Sequence, residues 1–351
     1  MSFMVSKHYA RLKTSAYAEI KKAAAEVNMQ NEELETKMGR AIVRAADEII
    51  SGQWRDQFDL DVFQAGAGTS YNMNVNEVIA NRALEILGHE RGDYDRINPN
   101  DHVNKSQSTN DTMPTAMCIA GVRLLRELVI VLDRLTVSFG EKAKEFATIK
   151  KAGRTHLHDA IPMTLGEEFG GYAGNLRRTL ERLKAAEDAL LEVPLGGTAV
   201  GTGVNTHPNY ARLAVERLGE ITGLKLREPA DRVQATQSLG DFVALSGVLR
   251  AFAVELSKIA NDLRLLNSGP HTGLYEIELP ALQPGSSIYA WQGKSSDGRD
   301  GQYGLLPHHR NRCRHHDLRR SGPTRGQRND ALRRLCVINI AGCNEECRAN
   351  V

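Results

Sequence analysis

Hydrophobic residues recur every three or four positions along three stretches of this 351-residue chain. This spacing places apolar side chains on one face of an α-helix, so each stretch predicts a long amphipathic helix. The longest stretch covers 242–266, about seven turns, and corresponds to a helix of roughly 35 Å. The other two cover 125–139 and about 171–191, and Glu187 interrupts the apolar face of the last one.

Strand patterns are rare in the same part of the chain. Alternating apolar and polar residues around an Asn-Gly or Asp-Gly turn are almost absent from the first 288 residues. We therefore expect an all-α fold, a bundle of long helices. Apolar faces of this length exceed what a compact monomer needs to cover, so we also expect a homo-oligomer in which several chains pack their long helices together.

Four segments between the helical stretches are rich in glycine, hydroxyl and amide residues, a composition typical of loops that present hydrogen-bond donors. The first, 66–74, has the sequence Gly-Ala-Gly-Thr-Ser-Tyr-Asn-Met-Asn and leads into a predicted helix. The others are 98–111, 153–160 and 284–288. Glycine-rich turns and helix N-termini favour anions, so these segments predict a donor-rich anion site.

Standard catalytic and metal-binding motifs are missing from the first 288 residues. No Gly-x-Ser-x-Gly nucleophile elbow surrounds Ser108 or Ser286. The spacing of histidine, cysteine and acidic residues fits no metal site, so we expect neither a metal nor another cofactor. A single histidine such as His156 is more often structural than catalytic. The residues by themselves therefore support an anion site and no particular reaction.

Charge and cysteine content change near residue 288. Residues 289–351 contain eleven arginines, one lysine and six acidic residues, which leaves the preceding part net acidic although the whole chain has a formal charge of +2. We therefore expect no nucleic-acid partner. Cys118 is the single cysteine before residue 288, and the chain shows neither an 18-residue apolar run nor a signal sequence. These features predict a cytoplasmic protein that does not associate with membranes.

Taken in order, the polar segments resemble those of the aspartase/fumarase superfamily. The resemblance extends from about Ala25 to Ile288 and includes Gly-x-Gly-Thr-x-x-Asn-Met-Asn, Gly-Arg-Thr-His and Gly-Ser-Ser-Ile. Further matching stretches are 195–203, 257–262 and 268–270. The resemblance implies a homotetramer whose long helices form a central twenty-helix bundle, with each active site built from three subunits.

The resemblance also implies a reaction. Removal of a proton from the carbon beside a carboxylate gives an aci-carboxylate, which expels ammonia, water or another group to form fumarate, and this doubly charged intermediate needs many fixed donors. Ser286 is implied as the base and His156 as a second catalytic or carboxylate-orienting residue. The substrate-binding residues implied by the resemblance are Thr69, Ser108, Thr109, Asn110, Thr155 and Ser287.

Several positions bear on the leaving group. Ser108-Thr109-Asn110 and Ala67 resemble aspartases, because fumarases usually have Ser-Ser-Asn and Gly-Ser-Gly-Thr there. Asn98 replaces the histidine of a second dicarboxylate site in fumarases, whereas Gly197 and 206–208 resemble fumarase. We expect elimination of ammonia from L-aspartate, with fumarate hydratase acting on malate as the alternative. The expected partners are these dicarboxylates and further copies of the chain.

The resemblance stops after Ile288, where the family continues Met-Pro-Gly-Lys-Val-Asn-Pro and this chain has Tyr-Ala-Trp-Gln-Gly-Lys-Ser. When the degenerate codons of the second sequence are read one nucleotide out of frame, they can encode the first sequence. The same frame makes 323–325 compatible with Gln-Leu-Glu and 327–331 with Asn-Val-Met-Met-Pro, which resemble the family's next stretch. We infer a frameshift at about Tyr289, so that 289–351 is an out-of-frame tail.

We therefore expect an N-terminal helical domain over 1–110 that lacks part of the family's N-terminal segment, a truncated long-helix domain over 111–288, and the tail. The family's lysine and asparagine after Ser287 are lost, so a catalytically inactive helix bundle is a second alternative function. A third reading makes the tail a zinc or nucleic-acid module, but its spacing matches no standard zinc finger. The residues behind that reading are His308, His309, Cys313, His315, His316, Cys336, Cys343 and Cys347.

Overall fold

The structure is a computed structural model that describes residues 7–60 and 68–279. These residues form α-helices and one β-hairpin, which confirms the predicted all-α class. None of the described helices has the length and apolar character needed to span a membrane. In chain order, the elements are α1 (Lys7–Gln30), α2 (Thr36–Ile50), α3 (Thr69–Ile86), α4 (Thr109–Glu145), β1 (Lys150–Thr155), β2 (His158–Thr164), α5 (Leu165–Leu190), α6 (Tyr210–Thr222), α7 (Arg232–Gln237) and α8 (Gly240–Leu266).

Three long helices correspond to the three predicted apolar faces. Helices α4, α5 and α8 contain 37, 26 and 27 residues. Glu187, which interrupts the apolar face of α5, pairs with Arg126 of α4 at 2.7 Å, so its charge is compensated at the helix surface. The predicted helix over 242–266 is confirmed, and the buried residues of its apolar face are Phe242, Leu245, Leu249, Ile259 and Leu266.

The described residues form two compact units, to each of which α4, α5 and α8 contribute. The first unit contains residues up to 126 together with 186–243. Within it α1 packs against α2, α3 and α6. Its buried apolar side chains include Ala16, Ile20 and Ala24 of α1, Ile42 of α2, Ile79 of α3 and Leu218 of α6. The predicted domain boundary at residue 110 stays a prediction.

The second unit contains 127–185 and 244–279 of the described residues. Phe139 of α4, Phe146 directly after α4, and Phe169 and Tyr172 of α5 form an aromatic cluster with ring centroids 5.1 to 5.9 Å apart. Their tilted and edge-on arrangements are the favourable ones for aromatic pairs. The Tyr172 hydroxyl also donates to Asp262 Oδ2 of α8 at 3.1 Å, so all three long helices are joined in this unit.

The segment 153–160, which we expected to be a loop, is part of the β-hairpin. Strands β1 and β2 are antiparallel, with Thr155 opposite His158 at the turn. The turn residues His156 and Leu157 have φ values of 50° and 63°, the left-handed region used by type I′ hairpin turns. The loop expectation is wrong. Histidine and leucine adopt positive φ only at an energetic cost, so no sequence signal indicated a tight turn between two strands.

Candidate active site

The first turns of α3 and α4 are in contact and present hydroxyl residues that we predicted to bind substrate. Helix α3 begins at Thr69, after Gly68 in the left-handed region (φ 97°), and α4 begins at Thr109. Asn72, one turn after Thr69, donates from Nδ2 to Thr109 Oγ1 at 3.1 Å. Helix N-termini carry unpaired backbone N–H groups and the positive end of the helix dipole. This part of the first unit therefore favours an anion.

The start of α4 is fixed by reciprocal hydrogen bonds between side chains and backbone. Asp111 Oδ1 accepts the Ser108 N–H at 2.9 Å, and Ser108 Oγ accepts the Asn110 N–H at 3.2 Å. This arrangement resembles a capping box, which satisfies backbone donors at a helix start. We expected all of 98–111 to be a loop. Pro99–Val103 instead form a π-helix, and the last residues of the segment begin α4, which holds the predicted site residues there more firmly than a loop would.

Asp111 also binds a distant part of the chain. Its Oδ2 accepts the N–H groups of Gly196 and Thr198 at 3.1 and 2.9 Å, and Asn110 Nδ2 donates to Ala199 O at 2.8 Å. Burial raises the pKa of the Asp111 carboxyl to about 6, although its three backbone donors and the charge of Lys21 oppose the rise. One buried carboxylate therefore joins the start of α4 to the glycine-rich segment 196–199.

Lys21 of α1 is a site residue that sequence reasoning missed. It is fully buried, and its Nζ donates to Asn72 Oδ1, Asn104 Oδ1 and Gln107 Oε1, each at 2.9 Å. Burial lowers the pKa of its ammonium to about 7, against the opposing charge of Asp111. No sequence signal indicates this burial, because Lys21 is followed directly by Lys22, which is partly exposed. Buried lysines are rare unless they have partners.

The hairpin of the second unit carries the predicted residues Thr155 and His156 at its exposed end. Nearer the start of β1, Lys151 Nζ lies 2.6 Å from Glu276 Oε2, and Arg154 pairs with the same carboxylate. Burial raises the pKa of Glu276, but the hydrogen bonds from Arg154 and Lys151 outweigh burial and leave it lowered. These ion pairs anchor the strand that leads to the two predicted site residues.

The predicted site residues are divided between the two units. Thr155 and His156 belong to the second unit, whereas Ser286 and Ser287 lie outside the described residues, as does the whole tail 289–351. Roles for all of these residues stay predictions. Within the described ranges, no three His, Cys, Asp or Glu side chains are grouped to hold a metal ion. The first unit contains Thr69, Ser108, Thr109 and Asn110.

Comparison with known proteins assigns the class. A family model described as "lyase" matches residues 2–289, and the chain belongs to this lyase family. Among curated relatives, the aspartate ammonia-lyases of Helicobacter pylori (strain ATCC 700392 / 26695) and Bacillus subtilis are each 51% identical, over 78% of this chain and 58% of the relative. That of Escherichia coli K12 is 49% identical over 77% of this chain and 56% of the relative.

Solved structures agree with this assignment. A fumarate lyase/delta crystallin from Brucella melitensis has a TM-score of 0.88 and 43% identity, covering 99% of this chain and 80% of that one. A class II fumarase from Schistosoma mansoni has a TM-score of 0.89 and 30% identity, covering 97% and 75%. The resemblance to the aspartase/fumarase superfamily is therefore confirmed.

The match to the curated relatives is partial. The chain spans 58% of the length of the first two relatives named above. The family match ends at residue 289. This is the residue at which we infer the change of reading frame. The frameshift itself stays a prediction.

Proposed function

We propose that this chain is an aspartate ammonia-lyase, which eliminates ammonia from L-aspartate to give fumarate. The observation that carries the proposal is the start of α4, where Ser108, Thr109 and Asn110 are held by buried side chains in a chain about half identical to proteins named aspartate ammonia-lyase. The geometry provides a rigid set of donors at a helix N-terminus, which suits a carboxylate.

The reaction needs such donors because charge accumulates on one carboxylate. A base removes a proton from the carbon beside it, the electron pair moves into the carboxylate, and the C–N bond then breaks as ammonia leaves with its bonding electrons. Fixed donors that face the developing charge lower the barrier without reorganising. Thr69 and Thr109 begin two helices whose N-termini add positive potential. Ser286 as the base and His156 as a second catalytic or carboxylate-orienting residue remain part of the proposal.

The direct test measures fumarate formation by its ultraviolet absorbance, with L-aspartate and with L-malate as substrates. The assay uses two proteins: the 351-residue chain itself and a version with the reading frame corrected at codon 289. We expect activity with aspartate in the corrected version, and a loss of at least about 100-fold in kcat/KM in its Thr109→Val variant. If the corrected, folded protein is inert with both substrates, the proposal is wrong and a catalytically inactive bundle remains.

Fumarate hydratase is the second candidate. The class II fumarase from Schistosoma mansoni matches the fold with a TM-score of 0.89, and Gly197 and 206–208 resemble fumarase in sequence. A rate with malate that exceeds the rate with aspartate would assign the chain to this activity. The cytoplasmic location remains a proposal alongside either activity.

We also propose that the protein is a homotetramer. On α4, Ile130, Val131 and Val137 are 55%, 43% and 52% exposed, and Val254 on α8 is 46% exposed. Exposed aliphatic side chains along long helices indicate a surface that another chain covers. Light scattering after size exclusion should give about four times the chain mass of 38.7 kDa, and Val137→Glu should reduce it. A monomer at micromolar concentration would contradict this proposal.

A further inference from the structure

Three side chains in the first unit form a directional series of hydrogen bonds. Lys21 Nζ donates to Asn72 Oδ1 at 2.9 Å, and Asn72 Nδ2 donates to Thr109 Oγ1 at 3.1 Å. An ammonium group has three donors and no acceptor, so each amide beside it must turn its oxygen toward it. The NH₂ group of Asn72 therefore points away from Lys21, and it donates both to Thr109 Oγ1 and, at 3.2 Å, to Asn104 Oδ1.

The neighbouring amides support the same orientation. Asn104 directs its oxygen at Lys21 while its Nδ2 donates to Gln107 O at 3.2 Å. Gln107 directs Oε1 at Lys21 while its Nε2 donates to the carbonyls of Val103 and Lys105, each at 3.0 Å. All three amides around the ammonium are thus held at both ends. With an exposure of 2%, Asn72 has little room for another orientation.

The consequence falls on the Thr109 hydroxyl. An NH₂ group only donates, so Thr109 Oγ1 acts as the acceptor in its contact with Asn72. The single hydroxyl proton must then point elsewhere, and the described residues provide no acceptor for it. A half-buried hydroxyl at the start of α4 is left with its proton available to an incoming anion.

We propose that Lys21 and Asn72 are positioning residues that fix the Thr109 hydroxyl as a hydrogen-bond donor toward a carboxylate of the substrate. The inference rests on the proposed dicarboxylate-lyase function and adds two residues that act through a third. Ser108 Oγ likewise acts as a hydrogen-bond acceptor, in this case from the backbone N–H of Asn110. The site therefore presents two hydroxyl groups that each accept a hydrogen bond from the protein and keep their own proton for a ligand.

The test reverses one hydrogen bond. In Asn72→Asp, one carboxylate oxygen still accepts from Lys21, but the other can only accept from Thr109, so the hydroxyl turns its proton inward and its lone pairs toward the ligand. Asn104→Asp is the matched control, because it places the same charge beside Lys21 and removes one NH₂ group, while it keeps the oxygen that accepts from Asn72 Nδ2 and makes no contact with Thr109. Binding of succinate is measured by calorimetry on the frame-corrected protein and on the same variants of it, with urea unfolding of each variant.

We expect Asn72→Asp to bind succinate at least tenfold more weakly than wild type, and Asn104→Asp to stay within threefold. Thr109→Val should weaken succinate binding by a factor similar to that of Asn72→Asp. The double variant should bind succinate no more weakly than either single variant. This non-additivity separates positioning of the hydroxyl from a general structural role. If Asn72→Asp does not fold, Asn72→Ala provides the same comparison, with an expected loss of at least threefold.

Two results would overturn the inference. Equal affinities of Asn72→Asp and wild type, or equal losses in Asn72→Asp and Asn104→Asp, would refute the positioning role while leaving the dicarboxylate site intact. An absence of succinate binding by the folded, frame-corrected protein without further substitutions would refute both this role and the proposed function. The two failures are thus distinguishable by the wild-type measurement.

Discussion

The two units of the chain use charge in different ways. In the first unit, one ammonium and one carboxylate, Lys21 and Asp111, are fully buried and bound to neutral amides and backbone N–H groups. In the second unit, Lys151 and Arg154 pair with Glu276, and the three side chains are 6%, 16% and 18% exposed. The first arrangement is fully buried and has neutral partners, whereas the second pairs opposite charges and keeps a small exposure.

This difference indicates what each cluster contributes. A hydrogen bond between a buried group and a neutral partner runs from one donor to one acceptor, and exchanging a single atom can reverse it. Such defined hydrogen bonds suit the fixed donors of a binding site. Ion pairs between opposite charges that keep some exposure are less dependent on one exact geometry and are screened in part by salt, which suits anchoring of a hairpin. We therefore expect the first cluster to respond to pH and to isosteric substitution, and the second to respond to ionic strength.

The largest effect is expected for Asp111→Ala. It leaves the N–H groups of Ser108, Gly196 and Thr198 without their acceptor in a buried position, and should lower the free energy of unfolding by about 3–5 kcal/mol. Urea unfolding measures it. Asp188→Ala is the control, because that side chain is 70% exposed in its pair with Arg227 and should cost less than about 1 kcal/mol. Equal losses of stability in Asp111→Ala and Asp188→Ala would contradict the contrast between buried and exposed carboxylates.

A pH-dependent effect is expected for Lys21→Met. The pKa of Lys21 falls from 10.5 to about 7 in the folded protein, so above pH 7 the unfolded chain holds a proton that the folded protein has released. The stability of the wild type should therefore rise relative to the variant as pH increases from 7 toward 10.5, by about 2 kcal/mol between pH 7 and 9. Parallel stability curves for the two proteins would show that Lys21 is not buried as described.

A smaller, salt-dependent effect is expected for Glu276→Gln. The substitution removes the charge that pairs with Lys151 and Arg154, and should cost about 1 kcal/mol at low ionic strength and less than half of that in about 1 M NaCl. Unfolding in urea at both salt concentrations measures the difference. The loss in Asp111→Ala should not change with salt, and a reduction of similar size there would contradict the distinction between the clusters.

The smallest effect, a gain of about 0.5–1 kcal/mol, is expected for Leu157→Gly. Leu157 is 72% exposed and has a φ of 63°, a conformation that glycine adopts without the penalty of a Cβ. Differential scanning calorimetry should show a higher Tm. A control, Ile161→Gly, changes a residue of similar exposure inside strand β2 and should lower stability. A decrease in both would argue against strain at the turn.

Much of the fold could be predicted because long helices repeat their apolar pattern many times. Seven turns of regular spacing in α8 specify one buried face, and the structure buries Phe242, Leu245 and Leu249 as expected. The hairpin was missed because its turn, His156-Leu157, contains no glycine or asparagine, and a bulge between Ala152 and Arg154 interrupts the strand alternation. Short strands offer too few repeats to outweigh such departures.

The candidate site was predicted in part. The motif around Ser108-Thr109-Asn110 identified donors, and Ser108 with Asp111 also fits the capping pattern of a helix start. Lys21 could not be connected to them, because its three acceptors lie 51 to 86 positions away in sequence. A local pattern states which groups are available, whereas the direction of a hydroxyl proton depends on contacts that only the folded chain creates.

The bonds from Asp111 to Gly196 and Thr198 also have a consequence for synthesis. The partners are 85 and 87 positions apart, so the start of α4 cannot reach its final form until the ribosome has released the chain beyond Thr198. Contacts of such long range form late, since the intervening chain must first be closed into a loop. A nascent chain arrested before this point would have long helices but an unfinished anion site. The Asp111 carboxylate, which is buried in the folded protein, would still be exposed to water and to chaperones.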